Sequence, residues 1–177
     1  MPKTTDTTTT PPPAAVARDP HWAAKLERLR ARKPATQTLT ICDDATVRQN
    51  LAQAKTEHDT AVAYGNEDSQ KTTAQALEAA QAAFDEAAIV LTFQALPSPA
   101  FQALKEAHPP TEKQAEDDQA INLDTIGPEL VSQSSLDGLT PEDAAHFLES
   151  WGTGEATQLF MTAWNVQNHV RSDLGKG

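Results

Sequence analysis

Histidine, cysteine and paired carboxylates are the residues with the widest chemical range, and this chain holds them at His21, His58, His108, His146, His169, Cys42, Asp43-Asp44 and Asp117-Asp118. Metal binding or nucleophilic catalysis needs such groups at convergent spacings, as in HxxxH or CxxC. Neither spacing occurs, and Cys42 and His146 have no partner within sequence reach. Asp43-Asp44 precedes a helical stretch, where a carboxylate caps backbone N–H groups, so it reads as a cap in preference to a metal pair. The glycine clusters Gly152-Thr153-Gly154 and Gly175-Lys176-Gly177 lack the strand-to-helix setting of a phosphate loop. The chain is therefore expected not to be an enzyme and to need neither cofactor nor metal.

Binding chemistry is better represented. Trp151 and Trp164, with Phe147 and Phe160, suit either a partner hot spot or the core of a small helical bundle. Aromatics make up only 5% of the chain, which favours the core, with some of the rings serving both roles at its edge. The phrase Phe-Gln-Ala-Leu occurs at 93–96 and again at 101–104, split by Pro97-Ser98-Pro99 and closed by His108-Pro109-Pro110. Pro97 stops a strand, Ser98 suits an N-cap and Pro99 suits the first helical position, where its missing N–H costs nothing. A two-turn helix over 100–107 then carries Phe101, Leu104 and Lys105 until His108 is pushed out of the helical region by the next proline. The repeated phrase is thus a strand end and a helix folded back at a rigid corner, not a functional repeat. Candidate partner-binding residues are Phe93, Leu96, Phe101, Leu104, Trp151, Phe160 and Trp164.

These side chains must be positioned by a small set of elements. Residues 21–33 (HWAAKLERLRARK) set Trp22, Leu26 and Leu29 on one helical face, gather Arg28, Arg30, Arg32 and Lys33 at the C-terminal end, and stop at Pro34. No aromatic residue interleaves with that basic run, so it reads as a docking helix in preference to a nucleic-acid patch. Residues 36–42 and 89–93 alternate apolar and polar positions, the pattern of half-buried strands. Two helical stretches lie between them, with stripes Val47, Leu51, Ala54, His58, Val62 and Ala74, Leu77, Ala80, Phe84, Ala88, joined by a turn at Tyr64-Gly65-Asn66. Residues 111–118 are polar and acidic, a short helix or loop. Residues 124–132 are a helix candidate with Ile126, Leu130 and Val131 inward, interrupted near its start by Gly127-Pro128. Leu136-Asp137-Gly138 is a turn, and Thr140-Pro141-Glu142-Asp143 is a helix start with a capping box. That helix carries Ala144, Phe147, Leu148 and Trp151, Gly152 to Gly154 break it, and a last helix spans 155–170.

The expected fold is mainly α with a small two-stranded antiparallel β ribbon, a helical hairpin inserted between the strands, and a small C-terminal helical bundle. Its parts are a disordered Thr/Pro-rich arm (1–20), the basic amphipathic helix (21–35), strand, hairpin and strand (36–95), the bundle (96–170) and a flexible tail (171–177). Acidic residues outnumber basic ones 25 to 14, a net charge of −11 that repels phosphate backbones and anionic lipid. Neither nucleic acid nor a membrane is expected as partner, and a DNA-binding regulator is disfavoured. No apolar run approaches the ~18 residues of a membrane span, and residues 1–20 lack the apolar stretch of a signal peptide. A cytoplasmic protein is expected, and the one cysteine excludes an internal disulfide framework.

The order of motifs resembles a known family. A basic helix, Ile-Cys-Asp-Asp at 41–44, a charged hairpin and Val-Leu-Thr-Phe-Gln-Ala-Leu-Pro at 90–97 come first. Ala-Phe-Gln-Ala-Leu-Lys-Glu-Ala-His-Pro-Pro-Thr at 100–111 follows, then Ile-Asn-Leu-Asp-Thr-Ile-Gly-Pro-Glu-Leu at 121–130 and Leu-Thr-Pro-Glu-Asp-Ala at 139–144. Over about residues 20 to 170 this resembles the tail assembly chaperones of actinobacterial phages with long non-contractile tails. Ile126-Gly127 departs from the pattern, where a bulkier, aromatic-leaning pair is expected. The resemblance implies a protein of the host cytoplasm, not retained in the mature virion, that coats the tape measure protein and helps recruit the tail tube protein. It also implies a longer, frameshift-extended form, and Leu174-Gly175-Lys176 permits a slippery heptamer, G-GGA-AAG. The alternative is a structural virion or adaptor protein whose hairpin forms an intermolecular coiled coil.

Overall fold

A computed structural model describes Asp19 and residues 21–171. The arm expected at 1–20, Asp19 aside, and the tail expected beyond Arg171 lie outside the described residues. Two units divide the chain between Pro34 and Ala35.

In the first unit, helix α1 (Trp22–Arg30) half-buries Trp22 and Leu26 and leaves Leu29 exposed. It stops three residues short of the expected end, because Arg32 N–H turns back to the Leu29 carbonyl and tightens the last turn. Asp19 accepts hydrogen bonds from the Lys25 ammonium and the His21 N–H. The Lys25 bond first, and the His21 bond second, hold its carboxyl below the usual range.

The second unit is mainly helical around one antiparallel ribbon, with the helical hairpin between its strands, as expected. Strand β1 (Thr36–Ile41) pairs with β2 (Ile89–Gln94) so that Leu39 lies opposite Leu91 and Ile41 opposite Ile89. One face therefore carries Leu39, Leu91 and Phe93, and the other carries Thr36, Thr38, Thr40 and Thr92. Beyond β2 the chain at Ser135 forms a single antiparallel bridge to Phe93, and Leu136 N–H donates to the Thr92 carbonyl at 2.8 Å. The Thr92 N–H in turn donates to Asp137 Oδ2 at 2.6 Å. Gly138 follows at φ 82°, a left-handed conformation that glycine adopts without strain.

The hairpin is α2 (Ala45–Tyr64) and α3 (Glu67–Ala87), whose principal packing partners are each other. Asp44 starts α2 as a cap, accepting from the N–H groups of Thr46 and Val47. Leu51, Ala54 and Ala61 are buried in the seam. Val62, expected inward, is 57% exposed, and Ala61, at the other helical spacing from His58, takes the inward place against the facing helix. In α3, Ala74 is likewise exposed and Thr73 turns inward, its hydroxyl 3.3 Å from His58 Nδ1. Asn66 caps α3 through Ser69 N–H. Gly65 between the helices is required by space: a Cβ there would sit 2.6 Å from the Ala61 carbonyl oxygen.

After β2 comes α4 (Ser98–Ala107), then α5 (Glu112–Glu116), α6 (Leu123–Ser134), α7 (Pro141–Ser150) and α8 (Thr153–Gln167). The cap of α4 is Pro97, whose carbonyl accepts from Phe101 N–H, so Ser98 lies inside the helix and caps nothing. Thr111 and Gln114 form a capping box for α5. Helix α6 runs through Gly127-Pro128 without the expected interruption. An interior proline costs about 3 kcal/mol, and full burial of Ile126, Leu130 and Val131 outweighs it at about 1.5–3 kcal/mol each. Gly127 is buried there, where an added Cβ would lie 3.3 Å from Leu148 Cδ1. A bulkier residue at Gly127 would have to displace the end of the Leu148 side chain.

Thr140 and Asp143 form the expected capping box of α7, with Pro141 at its first position. Hydrogen bonds from the Thr140 hydroxyl and then its N–H hold the Asp143 carboxyl below the usual range. Trp151 is the C-cap, and Gly152 starts α8 two residues earlier than expected. Helix α8 packs across both strands and against α6 and α7. The core joins Phe93 to Ile126, Leu130, Val131, Ala144, Leu159, Ala163 and Val166. Segments 36–95 and 96–170 thus share one core.

Candidate functional site

The candidate binding residues separate into interior and edge. Phe93 is fully buried and Leu104 nearly so, hence neither offers a surface to a partner. Leu96, Phe101, Trp151, Phe160 and Trp164 are half-buried around that core.

Three of these rings form a continuous strip. Phe160 and Trp164, one turn apart on α8, stack with centroids 5.8 Å apart and planes 26° apart. Phe101 reaches across from α4 to meet Trp164 edge-on at 5.6 Å and 71°, an arrangement that aromatic quadrupoles favour. Lys105, one turn after Phe101, places its ammonium 4.9 Å from the Phe101 centroid, within cation–π range. At its other end the strip opens into a cleft of about 360 Å³, where Phe160 meets Leu123, Gly127, Pro128 and Leu148.

Trp151 belongs to a separate place. It stacks on Phe147 at 4.9 Å and closes a cleft of about 180 Å³ with Leu39, Ile41, Arg48 and Phe84 at the base of the hairpin. Leu96 joins neither group; its N–H donates to Gln167 Oε1 at 2.8 Å.

Sequence reasoning missed the tip of the hairpin. Tyr64 is 90% exposed, next to the exposed Val62. A tyrosine directly before a Gly-Asn turn was the available signal, since a side chain at a turn between two antiparallel helices has no third element to cover it.

His108 Nδ1 lies 3.0 Å from Thr125 Oγ1, and His58 meets Thr73 in the hairpin seam. Among the described residues, no three or more His, Cys, Asp or Glu side chains could hold a metal ion. No described helix is long and apolar enough to cross a membrane. The arrangement on α4 and α8 suits recognition of apolar or aromatic side chains, with an ammonium at its margin. No family model, curated protein or solved structure matches the chain.

Proposed function

We propose that this protein is a phage tail assembly chaperone, binding the tape measure protein and helping to recruit tail tube subunits. The order of motifs from the basic helix to Leu-Thr-Pro-Glu-Asp-Ala suggests the family. The observation that carries the reading is the half-exposed strip Phe101–Trp164–Phe160 on a chain of net charge −11. A protein that shields a long aggregation-prone chain needs apolar docking surface within a charged, self-repelling exterior. The strip supplies the first and the acidic surface the second.

The protein is also proposed to be the short product of a frameshifted gene. A Gly175 codon other than GGA excludes the heptamer G-GGA-AAG. With the heptamer present, mass spectrometry of infected cells should show a minor longer form sharing peptides up to Leu174.

Co-expression tests the main reading. The protein should keep a tape measure chain encoded beside its gene soluble and co-purify with it, and Trp164→Ala should lose that partner while remaining folded. A tape measure chain that aggregates equally with and without the protein refutes the reading.

A second reading has one observation in its favour. The exposed Val62 and Tyr64 at the end of a hairpin packed mainly on itself suit an adaptor that joins another subunit. Purified tails separate the two: a chaperone is absent from them, whereas a structural adaptor is present in fixed copy number.

A further inference from the structure

The cleft beside the aromatic strip combines apolar side chains with two carboxylates. Pro128, Leu148 and Phe160 are half-buried in it, and Leu123 is 44% exposed at its side. Asp124 and Glu149 line the same cleft, both are exposed, and no basic side chain lines it with them. Among the described residues, neither carboxylate forms an ion pair. Asp124 accepts a 3.4 Å hydrogen bond from the Gln114 amide, a neutral donor.

Glu149 also stands against its own helix. It lies in the last turn of α7, where the free carbonyl ends repel an anion, and no basic residue in that turn offsets it. A cation docked in the cleft relieves both carboxylates at once. The far end of the strip has the opposite sign, since the Lys105 ammonium lies there over the Phe101 ring.

We infer that the strip and the cleft receive one amphipathic helix of a partner chain, with an arginine seated in the cleft and a carboxylate near Lys105. The inference rests on reading the strip as a docking surface and adds the chemistry of what docks there. Phe160 and Trp164, four residues apart on α8, form a ridge, and such a ridge fits between the ridges of a facing helix. An arginine stem can lie along Leu148 and Phe160 while its charged head stays wet. The flat guanidinium stacks on an aromatic face and matches carboxylates better than an ammonium does. The net charge of −11 draws a basic segment toward the site from a distance.

Two blocked helical peptides about five turns long test this on the full chain. Both carry a stripe of leucines. One has an arginine at one end of the stripe and a glutamate at the other, and the control has glutamate at both ends. By fluorescence anisotropy the arginine peptide should bind about fivefold more tightly or better, the ceiling of one exposed ion pair being near that factor. It should also shift the amide signals of Gly127, Leu148 and Glu149 most. Glu149→Arg places at the end of α7 a charge that the helix favours, so it should keep the circular dichroism and abolish the preference between the peptides. Equal affinities for the unaltered protein, or no binding of either peptide, overturn the inference. Shifts of the same three amides on removal of residues 1–18 or 172–177 also overturn it, by seating a segment of this chain in the groove. The tape measure chain judges the proposed function separately. If the unaltered protein and Glu149→Arg hold that chain in solution equally well, the function stands and the inference falls. If it aggregates with both while the arginine peptide binds as stated, the function falls and the groove keeps its chemistry.

Discussion

Gln167 Oε1 accepts a 2.8 Å hydrogen bond from the backbone N–H of Leu96, 71 residues earlier in the chain. The side-chain amide also donates to the Ala163 carbonyl at 3.0 Å, which fixes its orientation. One glutamine at the end of α8 therefore holds the corner where β2 gives way to α4. Gln167→Ala leaves the half-buried Leu96 N–H without its acceptor, and the expected loss is about 1–3 kcal/mol. Urea unfolding measures it directly; an unchanged midpoint would mean that water replaces the glutamine at no cost.

The two phenylalanines of the repeated phrase should differ in what they contribute. Phe93 is fully buried, so Phe93→Ala should cost about 3–5 kcal/mol. Phe101 is half-buried against Trp164, and its truncation should cost roughly half as much, since the loss scales with apolar area removed from water. Under the proposed function, Phe101→Ala also weakens tape measure binding, whereas any effect of Phe93→Ala on binding should track the fraction unfolded. Equal stability losses for the two variants would count against this division.

Stability should depend little on the outer half of the hairpin. Its seam is built from small side chains such as Ala54 and Ala61, and its helices pack principally on each other. Replacing residues 56–73 with a short turn should leave a single cooperative melting transition with the core intact. Loss of near-ultraviolet dichroism from the tryptophans would show instead that the core needs the whole hairpin.

Acid should loosen the start of α7. Its capping box pairs Thr140 with ionised Asp143, whose carboxyl is held below the usual value of 3.8 by the Thr140 hydroxyl and N–H. A depressed folded-state value means stability that is present above 3.8 and lost as pH falls through the folded value. Asp143→Asn should remove that part of the pH dependence while leaving the threonine half of the capping box. Thermal melts of both proteins across that range provide the comparison.

Much of the architecture was legible because it rests on local rules. Alternation in 36–42 and 89–93, the Thr140 to Asp143 signature and the prolines around Ser98 each specify structure within a few residues. Errors arose where tertiary packing decided the matter. Pro128 reads as a break, yet helix α6 continues because three side chains around it are fully buried. Val62 and Ala61 are neighbours in an alanine-rich stripe, and only the facing helix determines which one turns inward. The aromatic strip was half legible: its rings stand out by type, but their meeting depends on the angle at which α4 folds back onto α8. Leu96 stands out by its place in the repeated phrase, whereas its partner Gln167 carries no sequence signal at all.

The helical hairpin leaves the ribbon at Ile41 and returns at Ile89, the residue paired with it. Its arms are 20 and 21 residues long, so they bring the chain back level with its point of departure. Closing so long a loop at random carries an entropic cost, whereas contacts between adjacent helices are local in sequence and form quickly. A hairpin assembled first delivers the second strand to the first already in register. The expected order of folding is therefore hairpin first and ribbon second, which φ-values high in the hairpin helices and low in the strands would bear out.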